Sequence, residues 1–312
     1  MTNRDIVTLA GGVGAAKFLR GLIEVHDPDQ CAAIVNVADD FRLHGLHISP
    51  DLDTVTYTLS DQVNPETGWG RVGESWSVLA ELERLGGESW FSLGDKDIAL
   101  HMFRTQRIAK GASLTEVTKE IATAFDIAVE IMPVTNDPLE TKLTLTDGGE
   151  IDFQDYFVAR QHDVAVSAVR FEGANEAAPA PGVIAAIDDA TTIVIAPSNP
   201  IVSIGPLLAV DGVKQRLIDN RDRVVAISPI VGGKALKGPA DRLLRELGHE
   251  ASVTGIANIY ADIAATLVID NVDEHHRNAV EAAGLRCIVT DTIMSDVSRS
   301  AAITRSLLEA MS

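Results

Sequence analysis

The feature of this sequence that most restricts its fold is a run of glycines directly after the first apolar segment. Ile6–Ala10 is short and rich in β-branched residues, and Gly11-Gly12-Val13-Gly14 follows it at once. Ala15–Val25 then has the apolar spacing of a helix, and Cys31–Val37 is a second strand-like run. This order of strand, glycine turn, helix and strand is that of a βαβ unit in a doubly wound sheet.

The glycine turn also predicts a ligand. Glycines after a strand let the backbone approach a bound group, and the next helix points its first N–H groups at it. The spacing matches neither the full dinucleotide fingerprint nor a Walker A loop, because Lys17 is neither preceded by Gly nor followed by Ser or Thr. We expect Gly11, Gly12 and Gly14 to hold a phosphorylated ligand, although a tight turn without a ligand has the same pattern.

The remaining pattern predicts an α/β protein with a mostly parallel, Rossmann-like sheet. Further strands are expected at Thr191–Ile195, Val224–Ile227 and Cys287–Thr290, and helices at Leu52–Ser60, Ser75–Leu85, Leu207–Asp219 and Asp241–Leu247. Residues 127–178 differ, because alternating residues flank Asp147-Gly-Gly in the pattern of a hairpin. We therefore expect a core of residues 1–126 and 179–312, with a smaller mixed α/β insertion at 127–178.

Charge and apolar patterning exclude some partners and predict a compartment. With 45 acidic and 26 basic residues, the formal net charge is −19, which argues against duplex nucleic acid and anionic membrane surfaces. The sequence contains no run of about 18 apolar residues, so a membrane span is not expected. The polar N-terminus lacks the features of a signal peptide. Cys31 and Cys287 lie in apolar runs and are expected to be buried and reduced. The expected compartment is the cytoplasm.

Carboxylates follow the second strand and open the next helix. Asp39 and Asp40 end the segment that begins at Asn36, and a carboxylate at this edge of a parallel sheet faces the ligand crevice. Two turn residues would give the same pattern. Asp51 and Asp53 stand in the segment Ser-Pro-Asp-Leu-Asp, where they either belong to a well-capped helix start or hold a cation and accept a proton.

Three further segments carry polar residues of the kind found in ligand sites. Asp95-Lys96-Asp97 is either a surface ion-pair cluster or an anion clamp, and His101 is either a structural residue or a general base. The loop after Thr191–Ile195 contains two prolines, two serines and an asparagine, which make a rigid polar crevice wall. A second glycine pair and a lysine follow Val224–Ile227. Several such loops on one side of a sheet make a ligand site far more probable than one alone.

Together these segments resemble the 2-phospho-L-lactate transferase family, CofD, which is called FbiA in actinobacteria. The resemblance is carried in order by Ala-Gly-Gly-Val-Gly-Ala-Ala-Lys-Phe-Leu, Asn-Val-Ala-Asp-Asp, Ser-Pro-Asp-Leu-Asp-Thr-Val, Leu-Gly-Asp-Lys-Asp, Ala-Pro-Ser-Asn-Pro and Ser-Pro-Ile-Val-Gly-Gly. It runs from Leu9 to about Met294 and implies a transferase of deazaflavin coenzyme F-420 biosynthesis. Such an enzyme moves a phosphoryl-linked lactyl, enolpyruvyl or glyceryl acid from a guanosine diphosphate-activated donor to the primary hydroxyl of the deazaflavin Fo, and it releases GMP.

The resemblance also implies site residues and a Mg²⁺ cofactor. The donor is assigned to Gly11, Gly12, Gly14, Ser198, Asn199 and Gly232. Asp53 and Lys96 match the family positions that contact Fo, and Asp51 and Asp53 are the expected catalytic carboxylates. Asp40 and Asp51 are the expected metal ligands, with the division between metal ligand and general base left open.

One residue departs from the family pattern, and one related branch offers an alternative. Lys96 stands where arginine is more usual, and a lysine lacks the planar guanidinium fork, so its contact would be weaker or differently angled. The YvcK-like regulators share the glycine turn and the Asn-Val-x-Asp-Asp segment but bind nucleotide sugars and need not be transferases. The segments around Asp51 and Lys96 favour the transferase. A homodimer is the default expectation for such an enzyme.

Overall fold

The structure, a computed structural model, describes residues 4–311. Within that range the chain forms fourteen strands and twelve α-helices. The strands are β1 (Ile6–Ala10), β2 (Cys31–Val35), β3 (Phe41–Leu43), β4 (Leu46–Ile48), β5 (Glu130–Pro133), β6 (Glu140–Leu145), β7 (Glu150–Asp152), β8 (Val166–Glu172), β9 (Thr192–Ile195), β10 (Val224–Ile227), β11 (Ile230–Val231), β12 (Lys234–Ala235), β13 (Thr266–Asp270) and β14 (Arg286–Thr290). The helices are α1 (Gly12–Leu22), α2 (Pro50–Leu59), α3 (Ser77–Arg84), α4 (Asp95–Ala109), α5 (Leu114–Ala124), α6 (Val183–Asp189), α7 (Gly205–Ala209), α8 (Val213–Asp219), α9 (Ala240–Glu246), α10 (Val253–Tyr260), α11 (Arg277–Ala282) and α12 (Val297–Met311).

Seven parallel strands form the central sheet, in the order β14-β13-β10-β9-β1-β2-β5. Every residue of β1, β2, β9, β10 and β13 is buried, because helices cover both faces of the sheet. The chain leaves β1 toward β2 on one side, while β9 pairs with β1 on the other. A crevice opens between such strands, at their carboxyl ends, where ligands of doubly wound folds bind. The predicted fold class is confirmed.

Most predicted elements are present, but some boundaries and one strand differ. The predicted helix Leu207–Asp219 is two short helices, α7 and α8, because Gly212 between them has a left-handed φ of 77°. The strand Thr266–Asp270 was not predicted, although four apolar or β-branched residues precede a cap residue, Asp270. Cys31 and Cys287 are buried and free, as expected.

The segment predicted as an insertion divides between two sheets. Its first strand, Glu130–Pro133, pairs with β2 and so belongs to the central sheet, which corrects the assignment of residue 127 as the start. The separate three-stranded antiparallel sheet, β7-β6-β8, spans Glu140–Glu172, and its first two strands form the predicted hairpin. The division of the chain into two domains stays a prediction. In residues 4–311, no helix has the length and apolar character needed to cross a membrane.

Candidate active site

A crevice of about 870 Å³ lies at the carboxyl ends of the central strands. Its walls come from the loops after β1, β2, β9, β10 and β14, from the first turns of α2 and α4, and from aromatic residues of two surface loops. Of the predicted site residues, Gly11, Gly12, Gly14, Asp51, Asp53, Ser198 and Asn199 line it, whereas Asp40, Lys96 and Gly232 do not. This volume is in the range of pockets that hold nucleotides and cofactors.

The glycine turn is held tightly against the loop that follows β9. A Cβ atom on Gly14 would lie 2.2 Å from the carbonyl oxygen of Pro197, and one on Gly11 would lie 2.7 Å from Cβ of Ser203. The hydroxyl of Ser198 donates a hydrogen bond of 2.8 Å to the carbonyl oxygen of Gly11. Gly11 and Gly14 are therefore required by the close packing of two loops, whatever they contact in the crevice. Gly12 has a left-handed φ of 69°.

The predicted donor residues beyond this turn have different environments. Asn199 uses its side-chain oxygen to accept hydrogen bonds from the N–H groups of Ile201 and Val202, and so shapes its own loop. Gly232 is exposed and does not line the crevice, and its N–H donates to the carboxylate of Asp273 at 2.9 Å. Ser198 and Asn199 therefore form part of the wall itself, and Gly232 supports the loop that contributes Pro229 to it.

Asp39 and Asp51 form a buried carboxylate pair beside the glycine turn. The amide of Asn36 donates to one oxygen of each, at 3.0 Å in both cases, and the N–H of Gly12 donates to the second oxygen of Asp51 at 2.8 Å. Burial raises the pKa of Asp51 to about 6 and that of Asp39 well above its usual value. The second oxygen of Asp39 is buried without a hydrogen-bond partner. Two such carboxylates favour a bound cation or a shared proton.

Asp40, the sequence-based candidate for metal binding, points away from the crevice. One of its oxygens accepts hydrogen bonds from the hydroxyl of Ser49 at 2.7 Å and from Nε2 of His47 at 3.0 Å. Its neighbour Asp39, which the sequence also placed at the crevice edge but which was not assigned as a metal ligand, lines the crevice instead. The two aspartates are adjacent in one motif, and sequence pattern does not determine which of them faces a ligand.

Asp53 is buried in an ion pair that the sequence did not predict. Arg104 of α4, itself 2% exposed, bonds both carboxylate oxygens of Asp53. The same guanidinium lies 3.2 Å from Nδ1 of His101 and donates to the carbonyl oxygen of His47. Burial lowers the pKa of His101 to about 4, so its imidazole is neutral near pH 7. The helical spacing of His101 and Arg104 was the available signal, since residues three apart lie on one face of a helix.

Two further residues complete this side of the crevice. Tyr57 and Asp97 are both buried and both line it, the first on α2 and the second on α4. The hydroxyl of Tyr57 is buried without a hydrogen bond. Burial raises the pKa of Asp97 to about 6, and its carboxylate accepts a long hydrogen bond of 3.4 Å from the N–H of Gly94.

Lys96 lies outside the crevice and holds a neighbouring loop. Its ammonium donates a hydrogen bond of 2.8 Å to the carbonyl oxygen of Val72. In the same region the carboxylate of Glu74 accepts hydrogen bonds from the backbone N–H groups of Lys96 and Asp97. Both ties connect the loop before α3 to the first turn of α4. That loop contributes Trp69 to the crevice wall.

Aromatic rings line the crevice where the helices α2 and α4 meet the surface loops. Three of them, Trp90, Phe91 and Phe41, pack together with centroid separations of 4.9 to 5.9 Å. Trp69, Trp90, Phe91, Phe153 and Phe157 face the cavity. Aromatic surfaces of this kind bind planar ring systems by stacking and apolar contact. The crevice thus has a wall of glycine turn and buried carboxylates at the sheet edge and a second wall rich in aromatic rings.

Comparison with known proteins gives a consistent family. A family model described as 2-phospho-L-lactate transferase CofD matches residues 6–306. The chain is 42% identical to a phosphoenolpyruvate transferase of Kitasatospora aureofaciens, over 97% of this chain and 96% of that protein. It is 38% identical to a 2-phospho-L-lactate transferase of Methanocaldococcus jannaschii, over 97% of each.

Solved structures extend the likeness to the fold. A crystal structure of a UPF0052 family member from Bacillus halodurans has a TM-score of 0.69 to this chain. The two share 17% identity, and the match covers 99% of this chain and 100% of that one. At this identity the likeness concerns the fold alone.

Proposed function

The chain belongs to the 2-phospho-L-lactate transferase CofD family, and from this membership we propose the reaction that it performs. As a transferase, it moves a phosphoryl-linked three-carbon acid from a guanosine diphosphate-activated donor to the primary hydroxyl of Fo, and it releases GMP. The observation that carries this proposal is the crevice itself. One cavity joins a glycine turn, a buried carboxylate pair and an aromatic wall, as a reaction between a nucleotide donor and a ring-bearing acceptor requires.

The donor lies, in this proposal, along the sheet edge. Gly12, Gly14 and the first turn of α1 surround its phosphates, since a helix N-terminus presents free N–H groups to an anion. One of those N–H groups, that of Gly12, already bonds Asp51. Ser198 and Asn199 form the adjacent wall. Gly232 contributes to the donor site indirectly, by supporting the loop that contains Pro229.

A Mg²⁺ ion fits the carboxylate pair next to this turn. No group of three His, Cys, Asp or Glu residues among residues 4–311 is arranged to hold a metal. Mg²⁺ is commonly bound by one or two carboxylates together with substrate phosphates, which suits Asp39 and Asp51. The unpartnered oxygen of Asp39 is the free ligand atom. When bound there, the ion would neutralise charge on the diphosphate.

The acceptor lies, in this proposal, between α2 and the aromatic wall. Asp53 faces this space with its orientation set by Arg104, so it contacts the acceptor through hydrogen bonds. Trp69, Trp90 and Phe91 provide surfaces for the deazaflavin ring. Lys96 does not line the wall, and it acts on this region through its hydrogen bond to the loop that contains Val72.

A product assay tests the proposal. The enzyme is incubated with Mg²⁺, Fo and each of the lactyl, enolpyruvyl and glyceryl donors, and the deazaflavin product is identified by mass. Since the relative with 42% identity carries the name phosphoenolpyruvate transferase, we expect the enolpyruvyl product together with one GMP per turnover. Thermal stabilisation by nucleotide sugars, but not by GDP or Fo, would instead support the YvcK-like alternative and overturn the transfer to Fo. Stabilisation by NAD, but not by GDP or Fo, would overturn the transfer as well.

We also propose a homodimer that uses the outer face of α3 and α4. Trp76, Val78, Leu85, Met102 and Phe103 are 41 to 72% exposed there. An apolar surface of this kind is typical of interfaces between permanent subunits. Sedimentation equilibrium should give twice the mass of 33.3 kDa. A monomer at micromolar concentration would contradict this. The cytoplasmic location stays a prediction.

A further inference from the structure

Four buried polar side chains face one another between α2 and α4. Asp53 and Tyr57 are four residues apart on α2, and Asp97 and His101 are four residues apart on α4, so each pair lies on one helix face. All four line the crevice, and none is more than 6% exposed. Transfer to a hydroxyl needs one group here that takes a proton, and these residues differ in their ability to do so.

The two carboxylates expected to be catalytic are already committed to other contacts. Asp51 has one oxygen on the N–H of Gly12 and the other on the amide of Asn36. Both oxygens of Asp53 contact the guanidinium of Arg104. A carboxylate that is bonded to a buried cation is stabilised in its charged form and is a weaker base. His101 is not an alternative, because burial lowers its pKa to about 4.

Asp97 differs from the other two carboxylates in its contacts, because neither a buried cation nor two short hydrogen bonds occupy its oxygens. Its carboxylate accepts a backbone hydrogen bond of 3.4 Å, which is long, and it faces the cavity beside Tyr57, whose hydroxyl has no hydrogen bond. Burial raises the pKa of Asp97 to about 6, and the nearby charges of Glu74 and Asp53 act in the same direction. A general base works best when its pKa is near the operating pH.

We propose that Asp97 is the general base of the transfer and that Tyr57 positions the acceptor hydroxyl beside it. This inference rests on the proposed transfer to Fo. As the hydroxyl oxygen bonds to phosphorus, its proton moves to the carboxylate of Asp97. The bond from that phosphorus to the bridging oxygen breaks, and its electron pair leaves with the nucleoside monophosphate. Asp53 then orients the acceptor without taking its proton.

The groups that face Asp97 are few and can be named. Tyr57 and Asp53 approach it from α2, Glu74 from the loop before α3, and His101 lies one turn further along α4. The hydroxyl of Tyr57 opposes the rise in the pKa of Asp97, whereas the two carboxylates add to it. Since a base must be unprotonated, kcat should rise with pH through a value near 6 and reach a plateau above it.

The test compares Asp97→Asn with the wild-type enzyme in the Fo assay. We expect kcat to fall by about 100- to 10,000-fold while KM for Fo and the affinity for GDP change little. The rise of kcat through pH 6 should disappear, and Asp97→Glu should recover part of the rate. The matched control is Asp126→Asn, the same change at an exposed aspartate that does not line the crevice. It should keep kcat within about threefold.

A second variant keeps the inference testable if Asp97→Asn does not fold. Glu74→Gln removes a charge that raises the pKa of Asp97, so the midpoint of the rise of kcat should move to lower pH. The midpoint is the readout, because Glu74 also accepts hydrogen bonds from the N–H groups of Lys96 and Asp97 and its loss can change the plateau. If the wild-type enzyme turns over, either of two results would overturn the role of Asp97 and leave the proposed function standing. One is a pH profile that Glu74→Gln does not move, and the other is full activity in Asp97→Asn. No turnover by the wild-type enzyme with any donor would overturn the proposed function, and the inference with it.

Discussion

The two walls of the crevice hold their carboxylates in different ways. At the sheet edge, Asp51 is bonded by Asn36 and Gly12, and its partner Asp39 shares the same asparagine. In the helical wall, Asp53 is neutralised by Arg104, whereas Asp97 accepts a long backbone hydrogen bond and lies beside the hydroxyl of Tyr57. The first wall is therefore suited to hold a cation with phosphates, and the second to exchange a proton.

A single helix supplies both walls. Asp51 and Asp53 are two residues apart on α2, which is about 200° around the helix axis. One therefore faces the glycine turn and the other faces α4. Two adjacent carboxylates in one motif can thus have separate roles, which the spacing alone does not reveal.

The largest effect is expected from removal of the Asp53–Arg104 ion pair in the helical wall. Arg104→Met leaves Asp53 as a buried charge without its partner, which should cost about 3–5 kcal/mol of unfolding free energy. Adding Asp53→Asn to it should recover a large part of that loss, because the uncompensated charge is then removed. Chemical denaturation of the two single variants and the double variant measures this coupling. A loss below about 1 kcal/mol in Arg104→Met would mean that the ion pair is not formed.

The next prediction compares Asp51, which we propose binds Mg²⁺ in the sheet-edge wall, with Asp40, which lies outside that wall. Asp51→Asn should lower kcat by about 100- to 1,000-fold and raise the Mg²⁺ concentration needed for half-maximal rate. Asp40→Asn is the control, because Asp40 bonds Ser49 and His47 behind the crevice. It should leave the Mg²⁺ dependence unchanged. An equal increase in the Mg²⁺ concentration for half-maximal rate in both variants would show that Asp40 also binds the metal.

The smallest effect sharpens the role of the loop that covers the helical wall. Lys96→Arg should keep kcat/KM at or above that of the wild type, since a guanidinium can reach the same carbonyl. Lys96→Met removes the bond to Val72 and should lower kcat/KM by about two- to tenfold, as for one ordinary hydrogen bond. Steady-state kinetics with Fo as the varied substrate measure both. A severe loss in Lys96→Arg would show that lysine has a specific contact with the substrate.

The order of elements could be predicted from the sequence, because it depends on local signals. The alternation of apolar runs with helical spacing, and the glycine turn after β1, are sufficient for a doubly wound sheet. The predicted helix over Leu207–Asp219 was wrong in its middle, where Gly212 takes a left-handed conformation that ends the periodicity. The strand Glu130–Pro133 was assigned to an insertion because its pairing with β2 joins residues about a hundred positions apart.

The sequence by itself determined the fold class, the edge of the sheet at which the crevice lies and most of the segments that line it. Only the tertiary structure decided that Asp39 faces the cavity and Asp40 does not, that Arg104 neutralises Asp53, and that Lys96 holds a loop. The physical reason is that local periodicity follows from neighbouring residues, whereas the direction and charge state of a buried side chain depend on groups brought close by packing. Asp53 and Arg104 are 51 positions apart, and the helical spacing that puts Arg104 beside His101 does not indicate that this face meets Asp53.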